Sequence, residues 1–220
     1  MINGALIRVI VVITSAVFVI GSWVTTGSPD TSLFSFFSIA VFTCTIMLFL
    51  WDKWIWKWKL AQSIPGVSRN LSGTWAATLE SFWTDPSTGT SSPAKTVYVV
   101  IRQTSSTASV TLISDESTSK SSVARVAEED GSWMLYYLYT NKPRLEVRGR
   151  SAIHHGSAVL SATGSPAKRL EGGYWSDRDS KGQLKLTKRS KELAEDFEEA
   201  EDALKKLNQG VSPDGVLDHI

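Results

Sequence analysis

The residues best equipped for recognition chemistry lie beyond the first hundred: Tyr137, Tyr139 and Tyr174, the cations Arg102 and Arg178, and a hydroxyl-rich run from Ser114 to Ser122. Aromatic faces stack on nucleobases and guanidinium groups fork onto phosphates, so this set suits a small ligand with rings and charge. It suits ordinary packing equally, because Tyr is a common strand residue and Ser/Thr runs often form polar loops. Signs of catalysis are scarce. The chain has no glycine-rich phosphate loop, no H-E-x-x-H and no G-x-S-x-G nucleophile elbow, so neither an enzyme nor a cofactor is expected. His154 and His155 are adjacent and on a strand would point to opposite sides, a poor arrangement for holding one metal. The single cysteine, Cys44, lies in an apolar run and excludes an intrachain disulfide and a cysteine-rich metal site.

Those residues need a scaffold, and the distribution of charge shows how it is divided. The 220 residues include 23 basic and 22 acidic side chains, a formal charge of +1. That balance argues against a general polyanion binder, so DNA and RNA are not expected as partners. The N-terminal quarter is almost uncharged. Ile2 to Val24 is rich in Ile, Val, Ala and Phe with Arg8 as its only charge, and Leu33 to Trp51 is a second apolar run. Each is long enough, as a helix, to cross a hydrocarbon core of about 30 Å. Between them Thr25 to Ser32, with Gly27, Ser28, Pro29 and Asp30, has the chemistry of a tight connection. A cleaved signal peptide is the rival reading of the first run, but its apolar stretch exceeds the usual roughly 7 to 15 residues and a second run follows closely.

Arg8 precedes most of the first run, Lys53, Lys57, Lys59 and Arg69 follow the second, and the connection has no basic residue. Both termini are therefore expected on the cytoplasmic side, with Arg8 reaching the headgroups along its apolar stem. Trp51, Trp54, Trp56 and Trp58 interleave with the three lysines, a mixture that matches a membrane–water interface. The second helix is expected to continue through it.

Beyond Pro65 Ser, Thr and Gly accumulate, and short β-branched and aromatic segments alternate with turn signals. Eight strands are predicted near Thr74–Trp83, Thr96–Thr104, Ala108–Ser114, Ser121–Glu128, Ser132–Thr140, Ala152–Ala162, Arg169–Asp177 and Gln183–Lys188. Pro86 to Pro93, Glu129-Asp130-Gly131 and Asp179-Ser180-Lys181-Gly182 read as hairpin connections. Consecutive hairpins favour an up-and-down antiparallel barrel, whose closure removes exposed edges and leaves room for one small ligand; an open sandwich is the alternative. In the fifth strand Trp133, Leu135, Tyr137 and Tyr139 share one face, and Met134, Tyr136 and Leu138 the other. Both are apolar, so parity alone leaves the interior open. Ser190 to Gln209 is charged and helical in pattern, with Leu193, Phe197, Ala200, Leu204 and Leu207 forming a stripe short for a coiled coil, so docking on the barrel is expected ahead of self-association. Gly210 to Ile220 reads as a mobile tail.

The expected architecture is thus a membrane-anchored all-β protein: a two-helix transmembrane anchor with its Trp/Lys interfacial extension over residues 1–62, an eight-stranded antiparallel β-barrel over 63–189, and an acidic C-terminal α-helix and tail over 190–220. In that order the chain resembles the CBASS antiphage effectors that carry two transmembrane helices and a cyclic-nucleotide-sensing β-barrel. The resemblance spans Ile2 to about Arg189. It rests on the double apolar run, P-G-V-S-R-N-L-S-G-T-W at Pro65–Trp75, V-Y-V-V-I-R-Q-T at Val97–Thr104, L-Y-Y-L-Y-T-N-K-P at Leu135–Pro143, His155-Gly156, and L-E-G-G-Y-W-S-D-R at Leu170–Arg178.

The resemblance implies a cyclic oligonucleotide ligand, with a cyclic dinucleotide the favoured kind, made by a partner nucleotidyltransferase. It implies self-association of the helices on activation and disruption of the bacterial inner membrane. In that frame Tyr137 and Tyr139 stack on bases and Arg178 meets phosphate, while Gln103, Ser119, Ser121, Asn141, His155 and Tyr174 supply hydrogen bonds. Trp75 is read as a plug closing one barrel end. Two other classes remain: a lipocalin-like carrier, which predicts a dry apolar interior, and a structural anchor, which predicts a filled barrel. A sensor predicts hydroxyls and cations converging inside.

Overall fold

The computed structural model describes residues 11–12, 15–16, 18–24, 27, 31–84, 89–91 and 93–208. The chain divides into two compact units, Met1–Trp58 and Lys59–Ile220. In the first, α1 (Thr31–Lys53) is a 23-residue helix. Thr43 and Thr45 turn their hydroxyls back onto the carbonyls of Ile39 and Val41, each at 2.8 Å, so neither needs a partner outside the helix. Ile39, Phe42, Met47 and Leu48 are all exposed. Counted over the described residues alone, no helix is long and apolar enough to cross a membrane. Much of the expected first span and of its connection to the second lies outside the described residues, as does the Gly210–Ile220 tail.

α1 does not continue through the Trp/Lys segment as expected. Trp54 departs from helical geometry at φ −131°, a 3-10 turn covers Ile55–Lys57, and Trp58 is extended at ψ 149°. Closely spaced indoles lose rotamer freedom in a helix, and Trp54 instead packs edge-on against Phe49, ring centres 5.9 Å apart.

The second unit is a closed eight-stranded antiparallel barrel in sequence order. Its strands are β1 (Gly73–Ser81), β2 (Lys95–Gln103), β3 (Ala108–Ile113), β4 (Ser117–Glu129), β5 (Ser132–Pro143), β6 (His154–Thr163), β7 (Arg169–Ser176) and β8 (Lys181–Ser190), with β8 returning to β1. The sandwich alternative is thereby set aside. Asp130 and Gly131, at φ 49° and 76°, make the two-residue turn between β4 and β5, the left-handed pair that matches strand twist. Irregularities at Ala76/Ala77 and at Ser121/Val123 shift the register of β1 against β8 and of β4 against β5, which bends the wall toward closure.

One end of the barrel is sealed. Leu71 and Trp75 are fully buried among Ile101, Leu135, Leu160, Leu170 and Leu186. The segment before β1 crosses this end with its backbone satisfied: Leu71 N donates to Gln103 Oε1 at 2.8 Å, and Gln103 Nε2 donates to Arg69 O at 2.9 Å. Trp75 Nε1 donates to Leu71 O at 2.9 Å, and the Arg189 guanidinium lies over the indole at 5.4 Å while donating to Ser72 O and Asn70 O. Trp75 is thus the plug that the sequence suggested.

α2 (Phe197–Asn208) lies on the outer wall, where Ala200 and Leu204 bury Tyr98, Val100 and Ile113. The Phe197 ring meets Tyr98 edge-on at 5.0 Å. The helix begins seven residues later than expected. The chain leaving β8 is first tied to the wall by Thr74, whose hydroxyl donates to Glu192 O at 2.7 Å and accepts from Ala194 N at 3.0 Å. Asp196 then caps the helix by accepting from Glu199 N at 2.9 Å.

Candidate functional site

At the opposite end the same strands leave space. A cavity of about 280 Å³ opens where β1, β3, β5 and β7 end and β2, β4, β6 and β8 begin. Its apolar floor includes Leu79, Val97, Leu112 and Leu184, and its upper wall is polar: Tyr137, Tyr139, Tyr174, Asn141, His154 and the hydroxyls of Ser81, Ser114, Ser117, Ser119, Ser151 and Ser180. Lys95 and Glu116 stand among the lining residues. β5 turns Leu135, Tyr137, Tyr139 and Asn141 inward, which decides between its two apolar faces.

Two of the tyrosines are placed by glycines. Tyr139 pairs across β5–β6 with Gly156, and Tyr174 across β7–β8 with Gly182. A Cβ on Gly156 would collide with the Tyr139 ring and with Trp175 O, and one on Gly182 would meet Tyr174 Cε1 at 2.7 Å and Glu80 O closer still. Each ring therefore leans over bare backbone. Tyr137 and Tyr139 lie 6.0 Å apart, tilted by 47°.

Burial raises all three phenol pKa values, because the anion loses its water. Tyr137 is raised by burial and secondarily by Tyr139. Tyr139 is pushed up to about 12 by burial, then by Tyr174 and Asp177. Tyr174 is raised by burial, with a side-chain hydrogen bond to Ser81 pulling the other way. At neutral pH the cavity offers neutral phenols, able to donate as well as accept.

Five of the nine residues predicted for the site line this cavity: Ser119, Tyr137, Tyr139, Asn141 and Tyr174. Ser119 Oγ donates to Asn141 Oδ1 at 2.8 Å, linking β4 to β5 within it. The other four lie elsewhere. Gln103 braces the sealed end. Ser121 accepts from Val110 N at 2.9 Å, one step beyond the last β3–β4 ladder pair, Thr111 with Lys120. His155 pairs with Thr140 Oγ1 at 3.0 Å, while its neighbour His154 lines the cavity. Arg178, in the β7–β8 turn, donates from Nη1 to Ser151 Oγ at 2.9 Å and so reaches the rim through a lining residue. Arg102 points to the outer side, donating to Ala194 O at 3.4 Å.

Sequence reading missed Lys95, Glu116 and His154. Lys95 had a signal, since it continues the inward parity of Val97, Val99 and Ile101 one step beyond the predicted strand start. At the rim Lys95 Nζ donates to Glu116 Oε2 at 3.0 Å, and Arg150 Nη2 donates to Glu116 Oε1. Among the described residues no group of three or more His, Cys, Asp or Glu could hold a metal ion.

A barrel with one blind end and one polar, tyrosine-lined opening has the architecture of a small-ligand-binding module. Residues 67–188 match the family described as Cap15, cyclic dinucleotide receptor domain, and the chain belongs to that family. It is 35% identical over 153 residues to CD-NTase-associated protein 15 of Staphylococcus schleiferi, covering 68% of this chain and 79% of that protein. The resemblance read from the motifs holds at the level of the family.

Proposed function

We propose that the barrel binds a cyclic dinucleotide, made by a partner nucleotidyltransferase, and that the protein is a receptor and effector in CBASS antiphage defence. The observation that carries this reading is the open cavity: three neutral phenols, a ring of serine hydroxyls and the cation Lys95 converge inside the segment that matches the receptor family. Phenol rings stack on bases of any identity, and hydroxyls and ammonium groups meet sugar and phosphate. A carrier of apolar cargo fits less well, because a dry interior has no use for so many hydroxyls.

The N-terminal unit anchors the protein in the bacterial inner membrane, both termini and the barrel facing the cytoplasm, and ligand binding drives self-association that breaches the bilayer. Supporting this are the apolar residues that α1 leaves exposed, Ile39, Phe42, Met47 and Leu48. Trp54 and Trp58, exposed next to Lys53 and Lys59, suit a headgroup boundary. The protein acts without catalysis, through the difference in ligand affinity between its resting and assembled states.

The test is a thermal titration of the full chain in detergent with a panel of cyclic di- and trinucleotides. One member should raise the melting temperature selectively; at a hundredfold excess over Kd the gain is about 2.7 kcal/mol. Tyr139→Ala should weaken that ligand by about 1–3 kcal/mol. Stabilisation by fatty acids and by no nucleotide would replace the receptor reading with a carrier. Dye release from anionic vesicles bearing the protein, only on ligand addition, checks the membrane step; leakage that ignores ligand refutes the coupling.

A further inference from the structure

The turn between β3 and β4 holds a carboxylate at the cavity rim. Ser114 builds this turn: its Oγ accepts from Glu116 N at 3.3 Å and from Ser117 N at 2.9 Å, and its own N donates to Ser117 O at 2.9 Å. Glu116 is therefore presented on a fixed frame, and its two oxygens each take one cation. Lys95 comes from the start of β2 and Arg150 from the connection between β5 and β6. That connection is tied to the same turn by Arg144 N, which donates to Glu116 O at 2.9 Å.

One carboxylate thus gathers two cations from separate elements over a cavity that otherwise offers phenols and hydroxyls. A carboxylate with both oxygens engaged presents what a phosphodiester presents, two oxygens sharing one negative charge. The Lys95 hydrogen bond, opposed by slight burial and helped by the charges of Lys95 and Arg150, holds the Glu116 carboxyl below its ordinary value. It is ionised at neutral pH. The side chains of Lys95 and Arg150 are 48% and 70% exposed, so each pair is weak enough to exchange.

We propose that Glu116 is an internal stand-in for a ligand phosphate: in the empty barrel it occupies Lys95 and Arg150, and an arriving phosphodiester displaces it and takes both cations. This rests on the reading of an anionic nucleotide ligand given above. The exchange is charge for charge, so a neutral nucleoside has nothing with which to release the cations, and the rim selects for phosphate. Arg150, once freed from Glu116, carries the β5–β6 connection toward the ligand.

Calorimetric titration of the full chain in detergent tests this, with the cyclic dinucleotide panel and inorganic pyrophosphate as probes. Glu116→Gln keeps the shape and removes the charge. It should bind the responding cyclic dinucleotide, and pyrophosphate, roughly three- to tenfold tighter. Lys95→Ala should weaken both, and adding it to Glu116→Gln should cancel most of the gain. Unchanged or weaker nucleotide binding by Glu116→Gln, with the unaltered chain binding normally, overturns the stand-in and leaves the receptor reading intact. Pyrophosphate binding strengthened by Glu116→Gln, with no cyclic dinucleotide bound by either chain, keeps the stand-in and overturns the receptor reading. Failure of every chain to bind either probe overturns both.

Discussion

The two ends of the barrel are lined by inward positions of the same strands, yet one is packed solid and the other is hollow. β5 shows the change within one strand: Leu135 is fully buried in the core, while Tyr137, Tyr139 and Asn141 line the cavity. What seals the lower end is Trp75 of β1 together with the chain before β1, which brings Leu71 across the opening with Gln103 and Arg189 satisfying its backbone. Among the described residues nothing comparable fills the upper end. The packed core and the open cavity therefore lie at opposite ends of one wall.

The largest effect should come from breaking the sealed end. Trp75→Ala removes a fully buried indole and should cost about 3–5 kcal/mol, whereas Tyr139→Phe should shift stability by under about 1 kcal/mol. Urea unfolding of both variants checks this, and equal losses would erase the contrast. Next in size is Gly156→Ala, which forces a methyl against the Tyr139 ring and Trp175 O. It should cost about 1–3 kcal/mol and loosen ligand binding at the same time, because the ring can no longer lie on its partner strand. A variant with full stability and affinity would show that the glycine does not set the ring.

The smallest effect sharpens the picture of the hollow end. Tyr139 rises from an ordinary 10.0 to about 12 because burial penalises the phenolate. Its contribution to stability is complete below pH 10 and is lost as pH climbs through 12, the deprotonated form being better solvated in the unfolded chain. Unfolding midpoints should fall across that window, and Tyr139→Phe should flatten part of the fall. An identical alkaline slope in the variant would mean that Tyr139 is not the group titrating.

Much of the barrel was legible because its signals are local. Asp130-Gly131 is a turn whose chemistry survives any context, and the β-branched run Val97 to Ile101 needs no partner to announce a strand. β4 was harder: its first residues, Ser117 to Lys120, are polar on both faces because the inward side meets the cavity and not the core. The site was legible only by type. Tyr137, Tyr139 and Asn141 follow from parity once the inner face is known, but whether His154 or His155 enters the cavity depends on register, which a one-residue shift reverses. Gln103 and Ser121 look like ligand donors in sequence and turn out to repair backbone. Glu116 gave no sign at all, because its partner Arg150 lies 34 residues away.

The blind end also has a kinetic meaning. With Trp75 filling the base, the described residues leave a molecule held in the cavity one door, so it leaves by the route it entered. Any change at the rim that narrows passage without touching the bound state, such as a bulkier residue in the β5–β6 connection, should slow arrival and departure by the same factor. The equilibrium affinity would stay where it was, while the time for which a signal persists after its source has stopped would lengthen.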